Sequence, residues 1–356
     1  MDYFYSFPAV RGIQACNEYY IAMVPLKMLK RLFPGDDEFV LPEYRAQRKL
    51  NEARIPEIKD YIINNRDSYV FSALAASIDG EFTFKPVYGN QIGILEINMD
   101  ARFLINDGQH RKAAILAALD EDESLKDESI SIVFYEDFGL DRSQQMFTDL
   151  NKHAVKTSNS LAELYDSRDP LAVSTRRCIA RISFLNEYVD KEKDNLGKFS
   201  SSLFTLNTFY NANRKILGRG KCDNSFDEFI FKFWSDVVEN MVPWNELVSK
   251  EISKRELRDQ YVATQAVIIQ ALGRVGAYII EHRVFLENGS IENLKNINWK
   301  RSSSDWKLRI IRNNGRMINN TKAIILAGNM LKKYLEIPLS EDEMRTEELF
   351  VGENRG

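Results

Sequence analysis

Phe103-Leu104-Ile105-Asn106-Asp107-Gly108-Gln109-His110-Arg111-Lys112-Ala113-Ala114-Ile115 runs from an apolar stretch through Asp-Gly straight into helix-forming residues. That order predicts a strand, a tight turn and a helix start. Such a junction receives anions. The first-turn N–H groups of a helix have no intrahelical partner and the helix dipole is positive there, so a phosphate against Gly108, Gln109 and His110 meets several donors. Asp107 can cap the helix, Gly108 permits a positive φ or a close ligand, and His110 and Arg111 offer cations, Arg111 as a planar fork. A plain strand-to-helix turn with an Asp N-cap accounts for the same letters, and the residues alone leave both readings open. No GxxxxGK[ST] string occurs, so any nucleotide chemistry is of a non-P-loop kind.

Upstream of the turn, Tyr19 to Val24 is strand-like, and Pro25 opens a short helix over Leu26 to Phe33 that Pro34-Gly35 ends. Residues 43 to 54 and a helix opened by Pro56 and running to about Asn64, with Ile58, Tyr61 and Ile62 inward, form a polar, basic helix pair. A β block follows: Tyr69 to Ile78, an Asp79-Gly80 hairpin, Glu81 to Phe84, a loop over Pro86 to Asn90, Ile92 to Ile97, and Arg102 to Ile105. Downstream, the helix from Gly108 to about Leu119 leads through an acidic loop to a strand over Ile130 to Tyr135 and a helix over Asp141 to Leu150. Beyond about residue 160 helical periodicity dominates, over Leu161 to Tyr165, Leu171 to Leu185, Phe226 to Met241, Gln260 to Glu281 and Ala323 to Leu335. The expected organisation is an α+β (mixed α/β) domain over 1–160, a mainly helical domain over 161–340, and an acidic, fraying tail over 341–356.

With 356 residues, 44% hydrophobic and 11% aromatic, the chain has the composition of an ordinary globular protein. Its start lacks the order of a signal peptide and no apolar run is long enough for a membrane span, so the expectation is a cytoplasmic protein with no membrane partner. Cys16, Cys178 and Cys222 are far apart, which argues against a zinc ribbon or a disulfide framework and predicts reduced, structural thiols; no metal site is expected from them. The formal charge of -4 means that any nucleic acid must be met by local basic patches.

Two such patches occur. Arg214-Lys215-Ile216-Leu217-Gly218-Arg219-Gly220-Lys221 has four cations and no acid. Trp299-Lys300-Arg301 through Trp306-Lys307-Leu308-Arg309-Ile310-Ile311-Arg312 to Arg316 interleaves six cations and two tryptophans against the single acid Asp305. Arg214, Lys215, Arg219, Lys221, Lys307, Arg309, Arg312 and Arg316 are the candidate contacts to double-stranded DNA, of the salt-dependent, sequence-tolerant kind. A solvated charged face explains such runs equally well.

Asp107-Gly108-Gln109-His110-Arg111 resembles the signature of the DGQHR-domain family. The surrounding chain is similar to the DndB-like proteins of bacterial DNA phosphorothioation (sulfur modification) systems. The resemblance covers roughly residues 40 to 220, through the basic helix pair with Arg45, Arg48 and Arg54, the segment Phe147 to Lys152, and Leu203-Phe204-Thr205-Leu206-Asn207-Thr208. The DGQHR region is in turn similar to the ParB and sulfiredoxin superfamily, whose Gly-x-His-Arg box falls on Gly108, His110 and Arg111. The resemblance implies a ParB/sulfiredoxin-like N-terminal domain, a nucleotide site, and a role on DNA in regulating the modification genes beside other proteins of the system. It implies ATP hydrolysis or DNA nicking as the competing, enzymatic reading. Gln109 stands where sulfiredoxin has its cysteine, which argues against sulfinic-acid reduction. For a nucleotide such as ATP with Mg²⁺, Gly108, Gln109, Asn151 and Lys152 would hold phosphate and Asp107, His110 and Arg111 would be the working residues. The oligomeric state is open.

Overall fold

The computed structural model describes residues 3–34, 52–137, 145, 157–197, 199–282 and 290–353. The expected helix around Arg45 and Arg48, nearly all of the one over Asp141 to Leu150, and Asn151, Lys152 and His153 lie outside the described residues. The chain divides into two compact units, Met1–Val155 and Lys156–Gly356, each with its own hydrophobic core.

The first unit is built on a seven-stranded sheet. Its strands are β1 (Phe4–Gln14), β2 (Asn17–Pro25), β3 (Leu74–Asp79), β4 (Phe82–Tyr88), β5 (Ile92–Asn98), β6 (Arg102–Asp107) and β7 (Ser129–Glu136), in the spatial order β4-β5-β1-β2-β7-β3-β6. All neighbours are antiparallel except β3 and β7, so the sheet is mixed. Period-two alternation selects the core face: Phe7 and Ala9, Tyr20, Ala22 and Val24, Leu95 and Ile97, and Ile130, Ile132 and Phe134 are buried. Helices α1 (Leu29–Leu32), α2 (Ile55–Asn64) and α3 (Gln109–Glu121) belong to this unit, and α2 packs on α3. Pro56 occupies the first turn of α2, where its missing N–H costs nothing.

Two strands differ in extent from expectation. The stretch 69–73 joins no ladder and β3 begins only at Leu74, whereas β4 continues through Pro86 with a register shift there. Proline is admissible because β4 is an edge strand, where no partner needs its N–H.

The second unit is helical apart from a two-residue parallel pair, β8 (Val189–Asp190) with β9 (Phe204–Thr205). Its helices are α4 (Asn159–Tyr165), α5 (Pro170–Arg181), α6 (Ser183–Tyr188), α7 (Leu206–Leu217), α8 (Asn224–Asn240), α9 (Val242–Val248), α10 (Lys254–Gln260), α11 (Ala266–Glu281), α12 (Thr321–Tyr334) and α13 (Glu341–Glu353). The apolar α11 is central and packs against α7 and α12. Gly273 permits this: a Cβ there would lie 2.6 Å from the Ala212 carbonyl oxygen, so any larger residue would push α7 away.

Two features of the second unit bear on the basic segment 299–316. The acidic stretch from Glu341 to Glu353 is helical, with Glu343 buried in ion pairs with Lys332 and Arg274. Trp299 and Trp306 are core residues, stacked on each other with centroids 5.7 Å apart, and each donates its indole N–H to a backbone carbonyl.

Candidate functional site

Strand β6 ends at Asp107, Gly108 turns the chain with φ +100°, and α3 begins at Gln109. Only glycine holds that φ without strain, and a Cβ there would also collide with the fully buried Leu74 side chain. Lys112 N–H makes the first intrahelical bond, to the Gly108 carbonyl at 2.9 Å. No side chain caps the helix. Asp107, expected as the cap, instead accepts a hydrogen bond from Arg111 Nη2 at 2.5 Å. The turn keeps the polarity of a helix N-terminus without a carboxylate over it.

Arg111 is held from four directions. Nη1 donates to the Ser72 carbonyl at 2.7 Å, the Ser72 hydroxyl at 2.5 Å and the Ala73 carbonyl at 2.8 Å, while Nη2 takes Asp107. The Ser72 and Ala73 carbonyls serve the guanidinium, and the ladder begins at the next residue, Leu74. The arginine ties the first turn of α3 to the chain leading into β3. Its Nη1 is committed to main chain, so an incoming anion would meet Nη2 in competition with Asp107.

Asp107, Gly108, His110 and Arg111 are each partly accessible, and Gln109 is buried. The Gln109 Nε2 amide has no hydrogen-bond partner among the described residues. A buried amide donor without an acceptor costs about 1–3 kcal/mol, which a ligand oxygen or an ordered water would recover. The five motif residues therefore converge on one turn, whereas Asn151 and Lys152 lie outside the described residues. Among the described residues, no group of three or more His, Cys, Asp or Glu side chains could hold a metal ion.

The basic candidates lie in the second unit. Arg214 and Lys215 occupy the last turn of α7. Arg214 donates to Asn211 Oδ1 at 2.7 Å, and Lys215 is half-buried, reaching Gln270 at 3.0 Å. Burial, then the charges of Arg214 and Arg274, push the Lys215 ammonium below its ordinary pKa. Arg219 and Lys221 are exposed. The Leu203–Thr208 segment starts α7: Thr205 caps it, and Asn207 donates at 2.7 Å to Glu163, whose pKa burial pushes up to about 7 against the effect of that bond. The acid-free patch of the sequence thus acquires a carboxyl neighbour in three dimensions.

The second patch forms a turn. Arg312 N–H donates to the Arg316 carbonyl at 2.9 Å and Gly315 N–H to the Arg312 carbonyl at 2.8 Å, with Ile311 and Met317 bridged antiparallel behind them. Gly315 takes φ +76°, as such a tip requires. Residues 312–316, Arg-Asn-Asn-Gly-Arg, are all exposed, and Lys307 is exposed beside them. Arg309 is different: its guanidinium is paired bidentately with Glu347 of α13 and lies 4.5 Å from the Phe350 ring centre. Sequence reasoning missed both Ser72-Ala73 and Glu347, because neither pairing has a local signature. A basic run facing an acidic run near the same terminus was the only available signal for the second.

No helix among the described residues is long and apolar enough to cross a membrane. A family model described as DndB, DNA-sulfur modification-associated, matches residues 7–338, which takes in the motif turn and both basic segments. Neither a curated protein nor a solved structure matches the chain. With nearly the whole chain inside the matched span, the protein belongs to the DndB family of DNA-sulfur modification-associated proteins.

Proposed function

We propose that this chain is a double-stranded DNA-binding regulator of the modification genes, with a phosphate or nucleotide site at Asp107–Arg111. The observation that carries the DNA reading is the exposed turn at 312–316. It presents two arginines and two asparagines, and no acid occurs from Trp306 to Lys322. Guanidinium forks and carboxamides at a protruding tip suit phosphate oxygens and groove edges. Lys307, Arg219 and Lys221 add exposed cations, while Arg214, Lys215 and Arg309 are engaged within the protein.

At the motif turn, the backbone of Gly108 to His110, the buried Gln109 amide and the His110 side chain suit an oxyanion, in keeping with the proposed ParB/sulfiredoxin-like box. A nucleotide such as ATP would set its phosphates there, and Mg²⁺ would face Asp107 through water. Arg111 takes one oxygen of Asp107 and leaves the other for a water-bridged cation.

Fluorescence anisotropy with a duplex from upstream of the modification genes tests the DNA reading. The Arg312→Ala/Arg316→Ala variant should weaken binding and flatten the log K against log salt slope by roughly 2. Arg111→Lys should leave that slope unchanged. Equal affinity and slope for the wild type and the double variant would refute the assignment. A thermal-shift series with nucleotides, with and without Mg²⁺, tests the motif turn independently, since a ligand of the native state raises its stability.

A further inference from the structure

Helix α13 lies beyond the span that the family model matches, which stops at residue 338. It carries six carboxylates against one cation, Arg345. Acids make its polar contacts with the helical unit, beside the partly buried Phe350 and Val351. Glu343 accepts from Lys332 at 2.7 Å and Arg274 at 2.6 Å, Glu347 from Arg309 at 2.8 Å, and Glu353 from Lys322 at 2.9 Å. All four cations lie within the matched span.

Among the described residues, no apolar side chain of the helix is fully buried. Glu343 is the helix's one buried residue among those described, while Met344 and Leu349 remain 46% and 59% exposed. An ordinary terminal helix docks through leucines and methionines, which salt and anions barely disturb. The outer pairs, Glu347 with Arg309 and Glu353 with Lys322, are open to weakening by salt and to exchange for another polyanion, whereas the buried Glu343–Lys332 pair is screened much less and anchors the start of the helix. The 306–322 stretch beside it, with Arg309 covered and Lys307, Arg312 and Arg316 exposed, is the acid-free one.

We propose that the cationic surface beneath α13, centred on Arg309, is a continuation of the nucleic-acid surface at 312–316, and that α13 occupies it in place of DNA phosphates. The helix then acts as a built-in competitor: DNA that displaces it gains Arg309 and Lys322 as phosphate contacts. This inference rests on the DNA reading given above.

The test uses the full chain, a duplex oligonucleotide at low salt, and two readouts. Glu347→Gln keeps the size of the side chain and removes the charge facing Arg309. It should raise DNA affinity several-fold and steepen the salt slope by about 1, the value of one additional phosphate contact. Adding Arg309→Gln should abolish the gain. Hydrogen exchange of the wild type should show the amides of 341–353 exchanging faster when DNA is bound. Binding by the wild type with no gain in Glu347→Gln, or with α13 equally protected in the complex, overturns the competitor and leaves the DNA reading standing. Absence of DNA binding by every variant overturns both.

Discussion

Arg111 and Arg309 are written alike in the sequence, each as a cation poised for an anion, and the structure engages each with a carboxylate of the protein itself. The difference lies in where the partners come from. Arg111 takes a carboxylate four residues away and two consecutive backbone carbonyls, all part of the unit that the turn builds. Arg309 takes a carboxylate 38 residues away, on a helix outside the family-matched span. The first pairing is part of the fold and cannot be released without opening it. The second joins Arg309 to the helix that the proposal above makes displaceable by DNA. An arginine's availability therefore follows from how its partner is attached, more than from its own exposure.

The comparison is most severely tested at the motif turn. Gly108→Ala adds a Cβ to a residue at φ +100° against buried Leu74, and should cost on the order of 3 kcal/mol of unfolding free energy in a denaturant titration. A loss under about 1 kcal/mol would mean that the turn is not structurally fixed. Arg111→Lys should cost about 1.5 kcal/mol, because an ammonium cannot span Ser72, Ala73 and Asp107 together. An unchanged denaturation midpoint would place Arg111 on the same footing as Arg309.

The hold on α13 should weaken in acid. Burial alone would raise the Glu343 carboxyl, yet hydrogen bonds from Lys332, the Ser340 N–H and Arg274 outweigh it and hold its pKa at about 2, below the ordinary 4.5. A depressed carboxyl contributes fully above the ordinary value and loses that contribution as pH falls. The opening equilibrium of α13, read by hydrogen exchange over 341–353, should rise roughly tenfold per pH unit between about 4.5 and about 2. Protection that stays flat across that range would show that apolar contacts hold the helix. The smallest effect is expected of Glu347→Gln on global stability, about 1 kcal/mol, since the isosteric amide still offers Arg309 an acceptor and Glu347 keeps a quarter of its side chain exposed. A loss comparable to that of Gly108→Ala would erase the distinction between the two arginines.

Much of the architecture was legible wherever a local rule operates. The strand-turn-helix over 102–121, the Asp79-Gly80 reversal, the Pro56 helix start and the periodic helices α8 and α12 all follow from neighbours within a few residues. Helix α7 was not read as a helix, because Asn207, Asn211, Asn213 and Gly218 dilute its pattern, and burial of Leu206, Phe209, Ala212 and Ile216 supplies what propensity does not. The site was half legible. That 107–111 share one turn was readable from neighbouring residues, while the engagement of Arg309 by Glu347 and the burial of Trp299 and Trp306 were not, because a run of cations hides which side chains face inward.

By itself the sequence determined the turn at Gly108, the basic character of 306–322 and the kinship with DNA sulfur modification proteins, since each depends on residue types at fixed short spacing. Tertiary structure alone decided which cations are engaged and by what: Arg111 by Ser72 and Ala73, Arg309 by Glu347, Lys332 by Glu343. Charge pairing of this kind falls off within a few ångströms and is indifferent to chain separation, so only the folded arrangement determines it.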